Sequence, residues 1–127
     1  MRLTARQAKD LRAGRPPARS EAEVQRAILD YLRTVPGVYA FRCNSRVVRM
    51  PGKGGRERLV RFGVKGLPDI LGILMPHGRF LAIEVKANHG RLDPAQEAFL
   101  ACVRVHGGLA IVARTVSEVA DALAAAR

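Results

Sequence analysis

The chain has 127 residues, of which 48% are hydrophobic and 26% charged, which is enough apolar content for one core of ordinary domain size. No apolar run approaches the roughly 20 residues of a membrane span, and the basic N-terminus has no apolar stretch of the secretory kind, so neither a membrane protein nor an exported one is expected. The net charge of +11 points to a polyanionic partner, of which nucleic acid is the commonest.

Residues 1–19 carry Arg2, Arg6, Lys9, Arg12, Arg15 and Arg19 against Asp10 alone, with Pro16-Pro17 near the end. They read as a basic, partly disordered arm with one helical turn around Thr4–Leu11. Residues 20–127 read as the folded domain. Ser20 and Glu23 have capping-box spacing, and Val24, Ile28, Tyr31, Leu32 and Val35 recur with helical period until Pro36-Gly37. Val38–Val48 is rich in β-branched and aromatic residues and predicts one strand. Arg58–Phe62 predicts a second strand, returning from a glycine-rich hairpin tip that begins at Pro51. Asp69–Met75 and Arg79–Lys86 predict two more, joined by the turn Pro76-His77-Gly78. Asp93-Pro94, with Gln96 at capping-box spacing, opens a helix that Gly107-Gly108 closes. Leu109–Ala113 predicts a buried strand, and Thr115 with Glu118 caps a last helix toward Ala126. The order α-β-β-β-β-α-β-α is that of an α/β fold, a mixed central sheet flanked by helices.

Three side chains stand out in this frame. Residues two apart on a strand share a face, so Glu84 and Lys86 point one way while Ile83 and Val85 point into the core. If the two strands pair as a hairpin, Asp69 reaches the same face as Glu84. Two carboxylates and an ammonium would then converge at one end of a sheet, which is what phosphodiester hydrolysis requires. Hard oxygen ligands hold Mg²⁺, and a lysine orients water or steadies the charge that builds on phosphorus. The main-chain carbonyl of Val85 is a further candidate ligand. The rival reading makes Glu84 and Lys86 the solvated face of an amphipathic strand and Asp69 a turn residue. His77, His89 and His106 lack the spacing of a metal site, and Cys43 and Cys102 lack any CxxC pattern. The cysteines read as packed, reduced thiols of a cytoplasmic protein.

Gly66-Leu67-Pro68-Asp69-Ile70, then Ile83-Glu84-Val85-Lys86, then Gly90-Arg91-Leu92-Asp93-Pro94-Ala95-Gln96 resemble, in that order, the motifs of the VRR-NUC domain family. That family is a branch of the PD-(D/E)XK nucleases, related to Holliday-junction resolvases. The resemblance runs from about Ser20 to the end and implies a restriction-endonuclease-like core and DNA cleavage dependent on Mg²⁺ or Mn²⁺. It also implies a homodimer acting on branched DNA. It places a glutamate in the first helix, within Ser20-Glu21-Ala22-Glu23-Val24-Gln25. Glu21 extends the apolar stripe that faces the sheet, whereas Glu23 has a capping role available, so Glu21 is the stronger site candidate. Gln96 has two roles open to it, capping the helix or serving the site.

Between Arg42 and Lys65 lie Arg42, Arg46, Arg49, Lys53, Arg56, Arg58, Arg61 and Lys65, opposed by Glu57 alone. A hairpin so charged suits a DNA backbone, giving salt-dependent affinity with little base specificity; the alternative is a charged loop with no specific contact. Lys65 and Arg91 flank the acidic motifs and are positioned for phosphate or for plain solvent. Six aromatic residues and no tryptophan predict little base stacking. Two functions thus compete, a metal-dependent DNA endonuclease and a non-catalytic nucleic-acid-binding module; a ribonuclease would share the first chemistry.

Overall fold

The computed structural model describes residues 3–14, 19–43 and 46–126, with their side chains except at 10, 46–48, 61 and 62. Within the basic arm, helix α1 (Ala5–Arg12) makes two turns rather than the one expected, while Arg2 and Arg15 lie outside the described residues. Its start is closed by a reciprocal pair. The Gln7 N–H donates to Thr4 Oγ1 at 3.2 Å, and the Thr4 N–H donates to Gln7 Oε1 at 2.9 Å. Gln7 is buried, and its Nε2 donates to Glu23 Oε1 at 3.5 Å, docking α1 on helix α2 (Glu21–Leu32). Ser20 caps α2 by accepting the Glu23 N–H at 3.2 Å. Glu23 does not complete the expected box, because Gln7 engages its carboxylate.

The predicted strand Val38–Val48 is two strands in two different sheets. Strand β1 (Val38–Arg42) pairs antiparallel with β4 (Ile70–Leu74), Arg42 standing opposite Ile70. One more rung follows, Cys43 N–H to Asp69 O at 2.7 Å. There Pro68 precedes the acid and the partner strand ends, so the chain leaves the sheet and pairs with itself. Strands β2 (Arg46–Pro51) and β3 (Glu57–Phe62) form that separate antiparallel hairpin around a short turn at Lys53–Gly55. The element order therefore holds five strands, not four, before the third helix.

The central sheet runs β1-β4-β5-β6. Strand β5 (Arg79–Val85) is antiparallel to β4 and parallel to β6 (Leu109–Ala113), which it reaches through helix α3 (Pro94–Val105); this is the mixed sheet expected. Helix α4 (Val116–Ala125) follows, capped by Thr115 as predicted. One sheet face is sealed by α2 and α4, with Ile28, Leu32, Ile70, Leu81, Ile83, Val119 and Leu123 in the core. The apolar side of α4, with Val119 and Leu123, is spent in that core. On the other face α3 packs over β5 and β6, joining Leu100 and Val103 to Ala82. With cover on both sides, β5 is buried at five consecutive positions, Leu81 to Val85. Glu84 occupies one of them.

Candidate active site

Glu84 is only 3% exposed, a costly place for an acid. Its Oε1 accepts a hydrogen bond from Gln96 Nε2 at 2.8 Å and lies 3.6 Å from Lys86 Nζ. Its Oε2 is buried with no hydrogen-bond partner among the described residues. The Glu84 carboxyl is pushed up to about 7, first by burial and then by the charge of Asp69; Lys86 pulls the other way. The β4–β5 ladder explains the proximity of the two acids, since Ile70 stands opposite Ile83 and the next positions are Asp69 and Glu84. Asp69 is fixed by the Val85 N–H, which donates to its Oδ2 at 2.8 Å. The Lys86 N–H donates to Ala113 O at 3.0 Å, so the lysine stays tied to the sheet although β5 has ended.

Gln96 both caps its helix and contacts Glu84. Its N–H donates to Asp93 Oδ1 at 2.9 Å and its Oε1 accepts the Asp93 N–H at 3.0 Å, a complete capping box, while its Nε2 reaches Glu84. Pro94 occupies the first turn of α3, as predicted. The loop before Asp69 packs directly on that turn. A Cβ on Gly66 would stand 2.2 Å from the Ala95 carbonyl oxygen, and the backbone there has φ +78°; only glycine permits so close an approach.

Glu21 sits at the rim. Its Oε1 accepts from the Ala87 N–H at 3.3 Å, and both that oxygen and Lys86 Cδ lie 3.3 Å from where a Cβ on Gly90 would be. It therefore braces the segment after Lys86, exposed, while Asp69 and Glu84 face each other. Two contributors are absent from the sequence-based expectation. Arg114 Nη2 donates to Gly90 O at 2.7 Å and pins the same segment; nothing in the local pattern distinguishes it from other arginines. Cys43, expected to pack among apolar residues, is half-buried beside Asp69. Its thiol is held above the usual range by burial and by the Asp69 charge, against a lowering hydrogen bond from the Leu71 backbone. Cys102, also expected to be packed, is exposed one position off the buried stripe of α3, its Sγ 3.6 Å from His106 Nδ1.

The basic residues are dispersed. Arg42 is exposed and shares the α2 side of β1 with Val38 and Ala40, away from the acids. Arg49, Lys53, Arg56 and Arg58 are exposed on the hairpin, with Arg49 Nη1 3.8 Å from Glu57 Oε2. The side chains of Arg46 and Arg61 lie outside the described residues. Lys65 and Arg91 are exposed on the two loops that flank the acids, and His89 is exposed beside Arg91. The hairpin leaves the sheet after Cys43 and returns ahead of Asp69, so both of its feet stand at the acidic end.

Among the described residues no group of three or more His, Cys, Asp and Glu side chains is arranged around one point. Asp69 and Glu84 nevertheless offer hard oxygen donors, and the orphaned Glu84 Oε2 is an acceptor that a cation would satisfy. Two carboxylates suit a Mg²⁺-like ion, which keeps several waters and takes one or two carboxylates plus phosphate oxygens. The main-chain carbonyl of Val85, on the last residue of β5, follows Glu84 directly in the chain.

A family model, the VRR-NUC domain, matches residues 43–117, more than half of the chain and the whole stretch that holds Asp69, Glu84, Lys86 and Gln96. No match is found among curated proteins or among solved structures.

Proposed function

Because this chain belongs to the VRR-NUC domain family, a family of nucleases, we propose that it is a divalent-metal-dependent DNA endonuclease selective for branched DNA. The observation that carries this reading is the buried, unsatisfied Glu84 oxygen beside Asp69 and Lys86. A carboxyl kept in that state destabilises the fold, a cost expected where function demands it. A binding module would need no such acid facing phosphate, and this sets the non-catalytic alternative second.

Asp69 and Glu84 would hold Mg²⁺ or Mn²⁺, with the Val85 carbonyl as a third donor; when bound, the ion neutralises phosphate charge and makes hydroxide accessible near neutral pH. The chain's own groups do the rest. The Val85 N–H and Gln96 Nε2 hold the two carboxylates in position. Lys86 donates a hydrogen bond to the attacking water or to a phosphate oxygen on which charge accumulates. Its place 3.6 Å from Glu84 keeps it beside the acids and only slightly exposed. Arg49, Lys53, Arg56 and Arg58, with Arg46, Arg61, Lys65 and Arg91, supply backbone contacts that set affinity rather than sequence. The rooting of the hairpin on either side of Asp69 supports branched DNA, since one arm can follow the hairpin while another crosses the acids.

Paired incision of a four-way junction needs two sites, so the reading includes a homodimer. It also places the protein in the cytoplasm, where the free thiols of Cys43 and Cys102 stay reduced. The test is a panel of duplex, flap, splayed and four-way DNA with Mn²⁺, Mg²⁺ or chelator. Metal-dependent cuts near a branch are expected; cleavage unchanged by chelator, or none on any substrate, would refute the proposal.

A further inference from the structure

We infer that the strip of open sheet beside the acids is a stacking platform for unpaired nucleotides of the DNA substrate, with Phe41 and Tyr39 as its aromatic steps. This rests on the nuclease reading above. Helix α3 covers β5 and β6 and borders β4 at Leu71, and among the described residues no helix covers the rest of the same face of β1 and β4. On that face the ladder sets side chains in rows. Cys43 stands beside Asp69, in line with Glu84; the next row is Phe41, Leu71 and Ala82; the one after is Tyr39, Ile73 and Phe80. Rows on one face lie about 6.6 Å apart, close to the rise of an extended single strand per nucleotide.

Leu71 and Ala82 are covered beside α3, and the side chains beyond them in these rows are open. Phe41 is 47% exposed, Tyr39 67%, Ile73 48% and Phe80 41%. The rings of Tyr39 and Phe41 have centroids 6.0 Å apart and are tilted by 53°, so they present two separate faces rather than one closed pair. Four large apolar side chains exposed side by side on a chain charged +11 fit a contact surface.

Its position selects the occupant. The strip starts one row from the acids, so a nucleotide next to a phosphate held there passes over Phe41. The hairpin with Arg49, Lys53, Arg56 and Arg58 is rooted at the same end, and would hold the duplex part of a substrate. Bases inside a duplex cannot reach a flat aromatic row, whereas unpaired bases can, and stacking accepts any base. A second copy of the chain is the competing occupant, and the measurement below separates the two. The low aromatic count argues against stacking when taken alone. Placement decides instead, because three of the six aromatic residues lie exposed on the face that holds Asp69 and Glu84.

The experiment measures anisotropy in chelator with labelled DNAs of equal length, one fully paired and one ending in a single-stranded flap. Phe41→Leu keeps the apolar bulk and removes the ring; it should weaken flap binding about five- to hundredfold and leave duplex binding within about twofold. Phe41→Tyr should restore the flap preference. Tyr39→Leu, at the more exposed ring, should act in the same direction and serves if Phe41→Leu does not fold. Equal loss on both DNAs, or none, overturns the inference. So does a sedimentation shift from dimer to monomer in Tyr39→Ser, which would make the strip a self-association surface. Because binding is read without metal, a wild type that never cleaves would refute the nuclease reading and leave this measurement standing.

Discussion

At the end of β5, Glu84 shares one oxygen between Gln96 and Lys86, Asp69 is tied to the Val85 amide, and Gly66 leaves no space for another atom. On the β2–β3 hairpin, Arg49, Lys53, Arg56 and Arg58 stand in solvent, and the ion pair of Arg49 with Glu57 is 3.8 Å long and exposed on both sides. Exposed pairs of that kind contribute little. The first region is a set of mutually dependent positions, the second a sum of interchangeable charges. Substitutions should therefore act steeply and separately on turnover in the first, and gradually and additively on affinity in the second.

The sharpest break of that contrast is Lys86→Ala. Cleavage of the preferred DNA should fall by about 10²–10³-fold, with affinity in chelator nearly unchanged; a parallel fall in affinity would show that the two regions are not distinct. Next, Arg49, Lys53, Arg56 and Arg58 replaced together by Ala should weaken binding on the order of tenfold or more at about 0.15 M salt. The slope of log K against log salt should shrink by about 0.9 for each phosphate no longer neutralised, and the single variants should divide the effect among them. Replacement of Gln96 by Leu should cost about 1 kcal/mol of stability by removing the side-chain half of the capping box and reduce turnover roughly tenfold, measured by thermal melts and single-turnover rates. A drop in stability with turnover intact would reduce Gln96 to a cap.

The smallest effect is in pH. A carboxyl pushed up to about 7 in the folded chain, from an ordinary 4.5, binds its proton more tightly folded than unfolded. The stability it contributes is present below about pH 4.5 and is lost as pH rises through about 7. Without metal, the melting temperature should fall by a few degrees across that window on account of Glu84, and Glu84→Gln should flatten the decline. Added Mn²⁺ should reverse it at about pH 8, since the ionised form is the one that binds a cation.

Much of the fold and site is legible in the sequence because the decisive signals are local. Ser20, Asp93-Pro94-Gln96 and Thr115 set three helix starts through side chains that bond within their own turn, and two-residue alternation puts Glu84 opposite in direction to Ile83 and Val85. What fails is long-range. Within Val38–Val48 Asn44-Ser45 alone is a turn-type pair, a weak signal, and β1 ends where its partner begins after Pro68, which is distant in sequence. Glu23 bonds Gln7, from a helix in the arm, instead of completing the capping box. Glu21, expected to face inward, instead braces Ala87 at the rim. Cys102 departs from expectation for a nearer reason, since the helical period of Phe99, Leu100 and Val103 already places it off the buried side. The pairing of Arg114 with Gly90 joins two loops whose approach only the assembled sheet defines.

The double engagement of Gln96 has a consequence for how the protein breathes. Helix ends ordinarily fray first, but here the opening turn of α3 cannot unwind without letting go of the acid it steadies. Amide exchange at Asp93 and Gln96 is therefore a built-in gauge of whether Glu84 is seated, readable with no DNA, no metal and no turnover.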